Sequence, residues 1–134
     1  LNYEVRLIPK YSEADTWARV MDDGTVRVGI TDYAQGMLKE INYMNMPSDG
    51  DEVTAGISFA SAESVKAVSD VISPISGTIV AVNEDVMDNP GIINGDPYDS
   101  GWMIEVKPSD LDNDMAKLMD AAGYKALLAE KTVK

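Results

Sequence analysis

The residue of this chain best suited to chemistry is a lysine that stands alone. Lys66 lies in Glu63-Ser64-Val65-Lys66-Ala67-Val68-Ser69-Asp70, and the nearest basic residues are Lys39 before it and Lys107 after it. A primary amine on a flexible stem, presented at a tight turn, can be acylated and can then swing a cofactor between sites. A solvated turn lysine with its stem along the surface satisfies the same local pattern, so position alone leaves both readings open. Other candidates are weaker. Asp110, Asp112 and Asp114 have the opening spacing of a calcium loop, but the sixth position is Met115 instead of Gly and the twelfth is Ala121 instead of Glu. The pairs Asp22-Asp23 and Glu84-Asp85 sit beside turn signals with no partner group and read as solvated turns. Trp17 and Trp102 read as core-filling aromatics.

The composition removes most alternatives. There is no cysteine and no histidine, which excludes disulfides, thiol nucleophiles and the commonest general base and zinc ligand. Eleven Lys+Arg against 23 Asp+Glu give a formal charge of −12, so nucleic acid and anionic membranes are poor partners. The same charge suits a carrier that must meet and leave protein partners quickly, and equally suits simple solubility. A length of 134 residues predicts one domain, 1–134, able to bury a core without crosslinks. The longest uncharged run, 71–83, is too short for a bilayer span and contains Pro74 and Gly77, and residues 1–10 lack the apolar core of an export signal.

The elements that must position Lys66 are mainly β. Short β-like runs are expected at 25–30, 52–53, 57–60, 68–72, 78–82 and 103–106, separated by Gly, Asn, Asp and Pro turns. That spacing predicts a β-sandwich or flattened barrel. Similar β runs at 54–60 and 74–81 flank Lys66, a layout that predicts a hairpin with the lysine at its tip. A short internal helix is expected from Asp32 and Gln35, at capping-box spacing, with Ala34, Met37, Leu38 and Ile41 on one face. C-terminal helices capped by Asn113 or Asp114 are expected to carry Met115, Leu118, Met119 and Ala122, and then Tyr124, Leu127 and Leu128, outside the sheets. The final Lys-Thr-Val-Lys is expected to fray.

The stretch from Glu63 to Asp70 resembles the lipoyl-attachment motif of the glycine cleavage H protein family. The likeness continues in family order through Val28-Gly29-Ile30-Thr31-Asp32-Tyr33-Ala34-Gln35, Ser73-Pro74-Ile75-Ser76-Gly77, Asn89-Pro90, Asp96-Pro97-Tyr98 and Gly101-Trp102-Met103-Ile104. It covers roughly residues 11–130. A biotin carrier would place methionines beside the lysine and an oxo-acid dehydrogenase domain an aspartate before it, whereas Lys66 has Val65 and Ala67. The resemblance implies a lipoyl-domain-like hybrid fold and a carrier that is not itself an enzyme. It also implies lipoic acid attached to Lys66, with Glu63 and Ala67 completing the attachment motif. The implied partners are a lipoate ligase or lipoyl transferase, glycine decarboxylase, aminomethyltransferase and dihydrolipoyl dehydrogenase. The implied state is a monomer in the cytoplasm, or in the mitochondrial matrix of a eukaryote.

Two departures qualify that likeness. The family's Ser or Thr followed by His-Glu-Trp stands here as Ala14-Asp15-Thr16-Trp17, so the hydroxyl and the glutamate that shelter the loaded arm are replaced. Asp70 is kept, and a small loop shift would let Asp15 compensate. The family's Gly, apolar residue and Glu stand here as Lys39, Asn42 and Asn45, which fits drift on an exposed strand or an altered partner surface. H-protein-like lipoate-binding proteins that carry sulfur with heterodisulfide-reductase-like partners are therefore the alternative within the resemblance. An unmodified structural or regulatory relative that kept the fold is the alternative outside the carrier class.

Overall fold

The structure is a computed structural model, and it describes residues 3–132. Its strands are β1 (Lys10–Tyr11), β2 (Thr16–Val20), β3 (Val26–Ile30), β4 (Ile41–Asn45), β5 (Glu52–Val53), β6 (Ser58–Ser64), β7 (Val68–Ile72), β8 (Gly77–Val82) and β9 (Ile104–Pro108). They form two sheets, one six-stranded in the order β1-β2-β3-β9-β8-β5 and one three-stranded in the order β4-β6-β7, with every pairing antiparallel. The fold is thus the lipoyl-domain-like β-sandwich expected, with helices added.

Alternation explains which faces meet. In β9, Ile104 and Val106 are buried while Glu105 and Lys107 point away, and Val26 and Val28 of β3 lie opposite Val106 and Ile104. Ala18, Val53, Ile75 and Ile79 complete that part of the core. Beneath the three-stranded sheet, Ile41, Met44, Ala60, Ala62 and Val71 pack with Val86, Ile93 and Met103. A third cluster gathers Tyr11, Trp17, Tyr98, Ala121, Tyr124 and Leu128, with the Tyr11 and Tyr124 rings stacked at 4.6 Å. Trp17 is fully buried, and its indole N–H donates to the carbonyls of Ile30 (3.0 Å) and Pro97 (3.1 Å). Its ring lies over its cross-strand partner Gly29, where a Cβ would stand 2.7 Å from the indole, so only glycine fits there. Trp102 is only half-buried, its ring covered by the Arg27 guanidinium at 4.6 Å.

Several expectations need correction. The internal helix α1 (Asp32–Leu38) is capped by Thr31, which accepts from the Ala34 N–H at 3.2 Å; Asp32 is its first residue, and it holds Gln35 side chain to side chain at 2.7 Å. Ile41 belongs to β4, because the helix stops at Lys39. Two short helices, α2 (Glu84–Asp88) and α3 (Gly91–Gly95), fill the stretch read as turns. The C-terminal apolar pattern is two helices, α4 (Leu111–Ala116) and α5 (Ala121–Thr132), starting earlier than Asn113. They are separated because Met119 exchanges backbone hydrogen bonds with Tyr11 at 2.8 Å in both directions. Asp120 accepts from the Gly123 N–H at 2.8 Å and caps α5. Asp114 does not cap; it is buried and accepts from the Ser76 N–H at 2.8 Å. Lys131 and Thr132 are helical, while Val133 and Lys134 lie outside the described residues. The echo at 74–81 belongs to β8 in the other sheet, and the return strand of the lysine hairpin is β7.

Candidate functional site at the lysine hairpin

The hairpin tip follows from the register. Glu63 of β6 pairs with Val68 of β7, and the chain turns through Ser64, Val65, Lys66 and Ala67, with the Ser64 N–H donating to the Ala67 carbonyl at 2.8 Å. That bond fixes the turn and leaves Lys66 exposed, its side chain without a hydrogen bond or ion pair among the described residues. Around it, Val65 and Val68 are 87% and 66% exposed and Met37 is 60% exposed. Lys66 lines an apolar depression of about 250 Å³ with Val65, Ala67, Met37 and Leu38.

A second cleft of about 330 Å³ opens beside it, between β7, the loop at residues 14–16 and α1. Ala67, Met37 and Leu38 line both spaces, so the two are contiguous. The cleft contains Asp70 and Asp15, which sequence spacing could not bring together. Asp70 is exposed on β7, two residues beyond the start of the strand at Val68 and four from Lys66 in the turn. Ala14 presents only a methyl group. Thr16 is buried and spends its hydroxyl on Ser12 Oγ at 2.6 Å, so it gives the cleft no charge. Glu63 is half-buried between Tyr43 and Val68 in the ladder and does not line either space.

Asp15 is held elsewhere. Its carboxylate accepts from Lys131 Nζ at 2.9 and 3.0 Å and from the Tyr124 hydroxyl at 2.9 Å, and that hydroxyl also meets Thr31 Oγ1 at 2.7 Å. Burial pushes the Tyr124 phenol far above its ordinary range, with the nearby Asp15 charge adding to the shift, so it stays a neutral donor. Sequence reading missed Tyr124, Thr31 and Lys131 as members of this site, because their spacing from Asp15 carries no periodic signal.

A family model described as glycine cleavage H-protein matches residues 9–131. The chain belongs to the glycine cleavage H-protein family. A probable glycine cleavage system H protein of Thermococcus gammatolerans is 47% identical over 122 residues, covering 91% of this chain and 90% of that relative. The glycine cleavage system H protein of Klebsiella pneumoniae is 48% identical, covering 91% and 94%. The crystal structure of the glycine cleavage H protein from Mycobacterium marinum superimposes with a TM-score of 0.86 at 35% identity, covering 93% of this chain and 99% of that one. The H-protein family is one of lipoyl carriers that serve the glycine cleavage system, and nothing in these relatives supports the sulfur-carrying alternative. No described helix is long and apolar enough to cross a membrane. No group of three or more acidic residues among the described ones could hold a metal ion.

Lys39 stands where the resemblance implies a glycine, and the backbone there is one that favours glycine. Lys39 ends α1 with φ of 67°, a conformation that costs a side-chain-bearing residue about 1–3 kcal/mol. Lys39→Gly is expected to stabilise the fold by up to about 1 kcal/mol once the greater freedom of unfolded glycine is deducted, seen as a rise in the thermal midpoint. A lower midpoint would mean that the lysine side chain makes up for its strain.

Proposed function

We propose that this chain is a carrier of methylamine in glycine cleavage, with the lipoyl group attached to Lys66. The observation that carries the reading is the placement of an exposed lysine, without a hydrogen bond or ion pair among the described residues, at a bonded hairpin tip beside an apolar depression and an acidic cleft. The residues fit the group. An amine without polar partners among the described residues is open to acylation, the apolar walls of Met37, Leu38 and Val65 suit a hydrocarbon arm, and Asp70 lies within a span that such an arm can cover. When bound, the lipoyl group supplies a disulfide and dithiol pair to which cargo can be attached and from which it can be removed.

What the chain itself supplies is presentation and shelter. The turn bond between Ser64 and Ala67 holds the lysine away from the sheet, so that a ligase or lipoyl transferase can reach it. Val65, Val68 and Met37 offer a partner enzyme an apolar surface around the lysine. The tether turns encounters with the decarboxylase, the aminomethyltransferase and the dihydrolipoyl dehydrogenase into high local concentrations of one arm. Asp70 offers an anionic acceptor for a cargo ammonium within the cleft, and Asp15 a second one if its present partners yield.

The test gives the lipoylated protein glycine and an active pyridoxal-phosphate decarboxylase and follows intact mass. Loading is expected at Lys66, and a fully lipoylated chain that takes no methylamine, beside a control that does, removes this reading. Asp70→Asn is expected to shorten the lifetime of the loaded protein several-fold, because it removes the cleft's water-exposed anionic acceptor. An unchanged lifetime would place the shelter elsewhere.

A further inference from the structure

We propose that Lys131 is a built-in stand-in for the cargo: its ammonium fills the Asp15 site while the cleft has no cationic guest, and an ammonium delivered on the arm at Lys66 displaces it and frees the last turn of α5. The inference rests on Lys66 being the attachment point.

Asp15 is rigidly placed for such an exchange. Its N–H donates to the Ser12 carbonyl at 3.1 Å, its own carbonyl accepts from the Thr31 N–H at 3.0 Å, and its backbone sits at φ of 66°. The backbone is therefore fixed where the residue lines the cleft, and the carboxylate meets α5 through Tyr124 and Lys131. Around it is an acceptor set for a primary ammonium. Lys131 Nζ, with three donors, meets Asp15 Oδ1 and Oδ2 and the Glu13 carbonyl at 3.3 Å, and lies 5.4 Å from the centre of the Tyr33 ring. Of that set only Asp15 lines the cleft, so an arriving primary ammonium exchanges with Lys131 at the carboxylate and conserves the charge there.

The pair is also exchangeable. The side chains of Lys131 and Asp15 keep 28% and 18% of their exposure, so water reaches both partners and the bond competes with solvent. Release would be local. Tyr124 and Leu128 anchor α5 in the aromatic core, whereas beyond Leu128 the side-chain hydrogen bonds to another element among the described residues are those of Lys131. Exchange would thus loosen residues 129–132 and leave the rest of the helix packed, signalling at the C-terminal helix whether the arm is loaded.

The absence of cysteine makes a direct test simple. Lys66→Cys creates a single thiol, which is alkylated with either of two arms of equal length, one ending in a primary ammonium and the other in a methyl group. Two readouts are taken: hydrogen exchange of the amides of 129–132, and acetylation of the Lys131 amine, followed by mass spectrometry. The ammonium arm is expected to raise both several-fold and the methyl arm neither. Lys131→Gln is expected to show fast exchange at those amides with no arm and to lose the difference between arms, while Lys131→Arg restores it. Equal Lys131 acetylation with the two arms would overturn the exchange mechanism. Lipoylation of native Lys66 is measured separately: failure there removes the functional reading, whereas lipoylation without an effect of the ammonium arm removes only the present inference.

Discussion

Lys66→Arg is expected to lose lipoyl attachment completely, and with it every transfer step, while the fold stays within about 0.5 kcal/mol of the parent. Acylation needs a neutral amine as nucleophile, and the guanidinium does not release its proton in water. The structure supplies the reason why stability should be spared. Lys66 is exposed, its side chain bonds to nothing among the described residues, and the turn is closed by backbone atoms of Ser64 and Ala67. Intact mass after incubation with a lipoate ligase checks the first half, and a denaturant midpoint checks the second. A lipoyl mass on the arginine variant would move the attachment site, and a large midpoint shift would show that the lysine stem packs.

Trp17→Ala is expected to have the opposite profile, an intact attachment site on a chain that has lost much of its stability. Truncating a buried tryptophan costs about 3–5 kcal/mol, against a total of about 5–15 kcal/mol for a domain. Here two effects add. The indole volume between β2, Gly29 and Tyr98 is emptied, and the carbonyls of Ile30 and Pro97 lose their buried donor. Trp17→Phe helps to separate them, since it removes the N–H while keeping much of the ring volume. The check is a urea midpoint at unchanged slope. A cost below about 1 kcal/mol for the alanine variant would mean that Tyr98 and Gly29 collapse into the space.

The turn position of the lysine was legible in the sequence because it depends on local signals, whereas the pairing of the hairpin's strands was not. β6 runs four residues past the expected 57–60, and its partner is β7 instead of the run at 74–81. Alternation defined β3, β8 and β9 to within two residues, and β5 and β7 fully. Three strands, β1, β2 and β4, carry no clear β pattern in the sequence, for identifiable reasons. β1 is two residues long, β2 buries Thr16, Trp17 and Ala18 in succession and so shows no alternation, and β4 reads as polar because its outward positions carry Asn42, Tyr43 and Asn45. The helices α2 and α3 are short, and the residues just before them, Asn83 and Pro90, mark turns equally well. The site divides the same way. Lys66, Ala67 and Asp70 follow one another along the hairpin, so sequence order nearly fixes their geometry. The grip of Tyr124 and Lys131 on Asp15 joins residues more than a hundred positions apart, and only packing of α5 against Tyr11 creates it.

The pairing of β3 with β9 also sets an order of events in folding. Val26 lies opposite Val106, so the centre of the six-stranded sheet cannot zip until nearly the whole chain is available, and closing so long a loop makes this the slow step. The β6–β7 hairpin needs only the turn through Lys66, and such ribbons form on the microsecond scale. The arm-bearing hairpin is therefore expected to form early but to persist only once the large sheet packs against it. Substitutions in β9 should retard refolding, whereas those at the hairpin tip should leave the rate set by the large sheet unchanged.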